Sequence, residues 1–149
     1  MNEILAQTTS VPEVSVSWLA ISLAFFAAMA IGNAWYGPLF GKKWMKIVKL
    51  SKKDAEKNWK KPMAYMVVLA LVQAYILSHF VAYSGYFYPD MNTVLLGAIT
   101  GFFAFAGFSM PVTVSSNMFA RRSDDLIKIE LGNQLVTLVV IGAIIGALL

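Results

Sequence analysis

The sequence has no cysteine and a single histidine, and only 13% of its 149 residues are charged. Without cysteine there is no disulfide, no thiolate metal site, no iron–sulfur cluster and no thiol nucleophile. One histidine cannot supply both axial ligands of a bis-histidine haem, and no His or acidic cluster has metal-ligand spacing, so no cofactor is expected. No two carboxylates fall within an apolar run for acid–base work, and no serine stands with a histidine and an acid as a nucleophile. These absences argue against an enzyme.

Apolar residues are abundant. They make up 58% of the chain, well above the roughly half found in soluble domains, and they gather into four runs of the length a lipid core demands, about 20 residues each. The runs are Trp18 to Phe40, Met63 to Tyr83, Thr93 to Val114 and Leu131 to Leu149. The longest stretch between them, 41–62, is too short to bury a core of its own. Residues 1–149 are therefore expected to form a single domain, an all-α integral membrane protein built as a four-transmembrane-helix bundle.

The twelve basic residues are unevenly placed: nine lysines lie between Lys42 and Lys61, and Arg121, Arg122 and Lys128 lie between the third and fourth runs. The positive-inside rule puts those two loops in the cytoplasm, with both termini and the 84–92 loop outside, in a plasma membrane. Aromatic rings suited to the two interfaces agree: Trp18, Tyr83, Tyr86 and Tyr88 at one end, and Trp35, Tyr36, Trp44 and Trp59 at the other. A sequence pI near 9.4 is thus explained by orientation rather than by nucleic acid, which is not expected as a partner. Met1 to Ser17 carries Glu3 and Glu13 and no basic residue, unlike a cleavable signal peptide, so the first helix is expected to remain.

Local signals refine this outline. Gly37-Pro38 predicts the end of the first helix, because proline lacks a donor and restricts the residue before it. Beyond it, Lys42, Lys46, Lys49 and Lys53 recur at helical spacing opposite Trp44, Ile47 and Val48, the pattern of a short amphipathic interfacial helix whose lysines meet anionic lipid headgroups. Ser51-Lys52-Lys53-Asp54 reads as a capping box starting a second short helix. Pro111 frees the carbonyl of Gly107 and predicts a kink in the third run. The halves of the chain show no internal repeat, which argues against an inverted-repeat transporter.

Small residues mark candidate packing faces, because backbones that approach closely gain van der Waals contact where lipid offers no hydrophobic drive. They are Ala20, Ala24, Ala28 and Gly32 in the first run; Gly97 and Gly101, continuing through Ala104, Pro111 and Ser115, in the third; and Gly132, Val139, Gly142 and Gly146 in the fourth. Whether they join helices of one chain or of several is open at this level. Polar candidates are few. His79 lies one turn from Tyr75 and from Tyr83, and this ladder either relays protons or, as its place near the outer interface favours, is a hydrated histidine. Gln73 falls nearer the midplane, where an amide acts as interhelical glue. Asn33, Tyr36, Asn117, Asn133 and Gln134 lie at the inner ends of three runs and, if those faces meet, form a polar layer or a solute vestibule.

The stretch from Trp35 to Met45, Trp-Tyr-Gly-Pro-Leu-Phe-Gly-Lys-Lys-Trp-Met, resembles a prokaryotic membrane family catalogued as domain of unknown function 1761. The likeness continues through Leu50-Ser51, Lys61-Pro62-Met63, Asn117-Met118-Phe119, Leu135 and Ile141-Gly142-Ala143-Ile144, so that it covers about Trp18 to Leu149. It departs at Asn133 and Gln134, where the family often carries a tyrosine and another polar residue, and near Glu130, where it carries an asparagine. The resemblance implies four helices in a prokaryotic membrane and no known reaction. The expected role is a non-enzymatic structural or accessory subunit, of a homo-oligomer or of a larger membrane complex. The alternative is a small-solute carrier or channel component with its vestibule at the inner-leaflet amides.

Overall fold

A computed structural model describes residues 15–149, and among these there is no strand. Seven α-helices are described: α1 (Trp18–Ala34), α2 (Gly41–Ile47), α3 (Lys52–Asn58), α4 (Lys60–Phe87), α5 (Thr93–Ala104), α6 (Met110–Phe119) and α7 (Asp124–Ala147). With the π-helical turns Trp35–Leu39 and Phe105–Ser109 they give four helical segments long and apolar enough to cross a membrane: Trp18–Leu39, Lys60–Phe87, Thr93–Phe119 and Asp124–Ala147. The four-helix, all-α reading of the sequence holds. Glu3 and Glu13 lie outside the described residues.

Proline acts differently from the sequence expectation. The first span does not end at Gly37-Pro38 but runs to Leu39, with Pro38 inside a π turn where the Phe40 N–H reaches the Trp35 carbonyl at 2.8 Å. A π turn holds one extra residue, and that slack accommodates the missing donor without breaking the helix. A Cβ at Gly41, just beyond, would strike the Tyr36 carbonyl oxygen, so the turn closes only on glycine. The third span repeats the device: the π turn Phe105–Ser109 comes immediately before α6, whose first turn contains Pro111.

Helix ends carry their own signals. Ser51 caps α3 as expected: its hydroxyl accepts the Asp54 N–H at 3.1 Å and donates to the Asp54 carboxylate. The four-lysine face is interrupted, however. Helix α2 stops at Ile47, and Lys49 is left-handed, φ 55°, in a closing turn where the Leu50 N–H bonds the Met45 carbonyl at 3.0 Å. Lys42 and Lys46 therefore sit on α2, Lys49 in the turn and Lys53 on α3. The same closure ends α6, with Arg121 at φ 53° and the Arg122 N–H on the Asn117 carbonyl at 3.0 Å. Helix α7 begins at Asp124 rather than at Leu131. Ser123 caps it, and Asp124 and Asp125 place negative charge at the positive end of the helix dipole.

Packing centres on α7. Its Leu138, Ile141 and Ile145 join Ile21, Ala24 and Ala28 of α1 and Ala70, Ala74, Leu77 and Val81 of α4 in one buried cluster. Against α5 the contact is backbone on backbone. A Cβ on Gly97 would meet the Gly142 carbonyl oxygen, one on Gly101 the Leu138 carbonyl, and one on Gly146 the Thr93 carbonyl. These glycines are thus spent within one chain. Gly32 is not: a Cβ there would find no atom within 4 Å. Lys43 and Asp125 form a half-exposed ion pair of 3.0 Å, which brings the two basic loops to the same end of the bundle.

Candidate functional site

At that basic end, α6 and the first turns of α7 run antiparallel and match two polar pairs, each spaced by one helical turn. The Thr113 hydroxyl meets the Gln134 amide, 3.1 Å from Oε1 and 3.0 Å from Nε2. One turn along, Asn117 Nδ2 donates to Glu130 Oε2 at 2.7 Å and to the Thr113 carbonyl at 2.9 Å. Asn117 and Thr113 are buried, and Glu130 and Gln134 partly so. Asn133 completes the layer with a buried Nδ2 that has no hydrogen-bond partner among the described residues. Beside it, Trp35 Nε1 donates to the Ile129 carbonyl at 2.9 Å, and the Trp35 ring lies over Gly132.

Sequence reasoning places Asn117, Asn133 and Gln134 here but misses Glu130, because a fourth run starting at Leu131 excludes it, and Thr113, which lies within the third run one turn before Asn117. The Ser123-Asp124-Asp125 cap was the overlooked signal, since it carries helix back past Glu130. Of the other two candidates, Asn33 is exposed on the surface of the first span and does not join, whereas Tyr36 packs edge-on against Trp44, centroids 5.6 Å apart, with its phenol close enough to the layer to feel the charge of Glu130. What the layer offers chemically is one carboxylate acceptor and, three residues along the same helix, one unfilled amide donor, in a part of the bundle where ionisable groups are costly.

One step of the tyrosine–histidine ladder is assembled, with the Tyr75 and His79 rings 4.6 Å apart between centroids, and the step to Tyr83 is not. His79 Nδ1 lies 2.9 Å from the Tyr75 carbonyl of its own helix, and Tyr75 stacks on Trp18. Tyr83 turns instead into a groove of about 580 Å³ between α4 and α5, with Phe80, Ser84, Thr100 and Phe103. An adjoining cleft of about 310 Å³, which shares Phe80, Ala104 and Phe108 with the groove, is lined by Gln73 of α4 together with Ser109 and Leu138. No hydrogen bond to the Gln73 amide is formed among the described residues. Towards the basic end the second span leaves the bundle: Met63, Tyr65, Met66, Val68 and Leu69 are all exposed, and its buried residues begin only at Ala70. Among the described residues, no three His, Cys, Asp or Glu side chains gather to hold a metal ion.

No curated protein and no solved structure matches the chain. A family model described as a protein of unknown function, DUF1761, matches residues 19–146, a range that includes both π turns, the glycine contacts and the polar layer. With nearly its whole length covered by that match, the chain belongs to the DUF1761 family.

Proposed function

We propose that this protein is a non-enzymatic structural or accessory subunit, which works by packing against another membrane-spanning chain. The observation that carries the reading is the weakly covered basic-end half of α4, where five large apolar side chains from Met63 to Leu69 are exposed. Beside them Gln73 opens into a cleft, and an amide in hydrocarbon is stabilised by a partner helix that bonds it. The glycine faces no longer support the reading, because Gly97, Gly101, Gly142 and Gly146 are occupied within the chain. By the charge rule the basic end faces the cytoplasm of a prokaryotic plasma membrane, with Lys42, Lys46, Lys49 and Lys53 against anionic headgroups. The test is extraction of the tagged protein from its native membrane in mild detergent, with its native mass recorded and co-purifying chains identified. A stoichiometric assembly is expected, and a lone monomer would overturn the reading.

A second reading is favoured by a separate observation, the unpartnered amide nitrogen of Asn133 three residues along α7 from the Glu130 carboxylate that Asn117 bonds. A small polar solute carrying both a donor and an acceptor would satisfy the two, as in a carrier or channel component. Reconstituted vesicles should then pass such a solute, and Glu130→Gln and Asn133→Leu should each abolish the flux. Absence of any flux sinks this alternative.

A further inference from the structure

Along α4 the residues Met66, Leu69, Gln73, Ile76 and Phe80 follow one another at steps of three, four, three and four. That is the spacing of the seam along which two helices pack with a left-handed twist. Met66, Leu69, Ile76 and Phe80 are between 43% and 58% exposed; the bundle covers the seam only in part, with Phe80 against Phe108 and with Gln73 and Ile76 on one wall of the cleft that Ser109 and Leu138 also line. The two residues that continue it, Tyr83 and Phe87, line the open groove beside α5. Gln73 sits near the centre, about 20 Å from either end of α4 at 1.5 Å per residue, at the depth where an unpaired amide is most costly.

We infer that the occupant of this seam is α4 of a second copy of the chain, in a parallel two-fold dimer with the two Gln73 amides paired. The choice of an identical partner follows from the chemistry of the group. A primary amide carries a donor and an acceptor, so two of them related by a two-fold axis satisfy each other, and a parallel arrangement brings both to the same depth. A single polar residue within an apolar seam also fixes register and oligomer number. The rest of the seam needs only complementary apolar shape, which its own copy supplies because a two-fold interface is self-complementary. This inference rests on the subunit reading and names its partner.

The absence of cysteine makes the test clean. Single substitutions Leu69→Cys and Ile76→Cys, on the seam, are compared with Leu71→Cys, which points elsewhere, in membranes treated with copper phenanthroline. Cross-linked dimer is expected from the first two and not from the third. Adding Gln73→Leu to Ile76→Cys should lower the cross-linked yield in dilute vesicles about ten-fold, since an interhelical polar contact in lipid reaches about 1–2 kcal/mol; Gln73→Asn should keep most of it. Equal cross-linking at all three positions, or at none, overturns the dimer. A native mass showing one copy with a different protein overturns the dimer while leaving the subunit reading standing, and a lone monomer overturns both.

Discussion

Gly97 and Gly142 face each other so closely that a Cβ on either would collide with the carbonyl oxygen of the other. The contact is reciprocal, and it sets how near α5 and α7 can come. Extended by Gly101 and Gly146, it is the tightest join in the bundle, and side chains have no part in it. In lipid, where apolar exclusion between helices is absent, such close approach is what dispersion attraction requires.

Gly97→Val and Gly142→Val should therefore each lower the thermal midpoint in detergent, at a cost of about 3 kcal/mol or more, the upper end for an overpacked core. Gly32→Ala is the control, because nothing lies within 4 Å of its new methyl group. It should be neutral or gain up to about 1 kcal/mol from reduced backbone freedom. A loss at Gly32 equal to that at Gly97 would refute this assignment of the packing faces.

Gly132 and Trp35 form a second close pair, with the ring atom Cζ2 2.7 Å from where a Cβ at position 132 would stand. Gly132→Ala should destabilise by about 1–3 kcal/mol. Trp35→Phe should cost about 1 kcal/mol on its own through loss of the hydrogen bond to the Ile129 carbonyl. In the double variant the smaller ring leaves room for the methyl group, so the two losses should fall short of their sum. Thermal unfolding of the four proteins measures this coupling directly.

The Asn117–Glu130 contact predicts an asymmetry. Asn117→Leu removes the donor and leaves a partly buried carboxylate without it, a loss of about 1–3 kcal/mol. Glu130→Gln keeps an oxygen acceptor opposite Asn117 and should cost clearly less. If the glutamine variant is as unstable as the leucine variant, the bond from Asn117 is not what holds the layer.

Lys43 and Asp125 make a weaker claim. Both are half exposed, so Lys43→Ala or Asp125→Ala should change stability by no more than about 1 kcal/mol, and less as salt is raised. A large, salt-independent loss from either would show that the pair is shielded from solvent, for instance by lipid headgroups.

From the sequence alone the helical class, the count of spanning segments and the gathering of basic residues into two loops were all readable. Each depends on local quantities: the length of an apolar run, and the sign of the charges beside it. The capping box at Ser51 was legible for the same reason, since a cap involves only residues within one turn. Tertiary structure decided the rest. Proline at 38 lies within a helix because a π turn, closed beside a glycine at 41, takes up its missing donor. The glycines at 97 and 142 belong to each other because α5 and α7 pack as neighbours in one chain. Glu130 entered the polar layer because antiparallel packing set it opposite Asn117, while Asn33, with the same chemistry, faces outward. Residue type and helical spacing define which groups share a face, but only the positions of the neighbouring helices determine what that face meets.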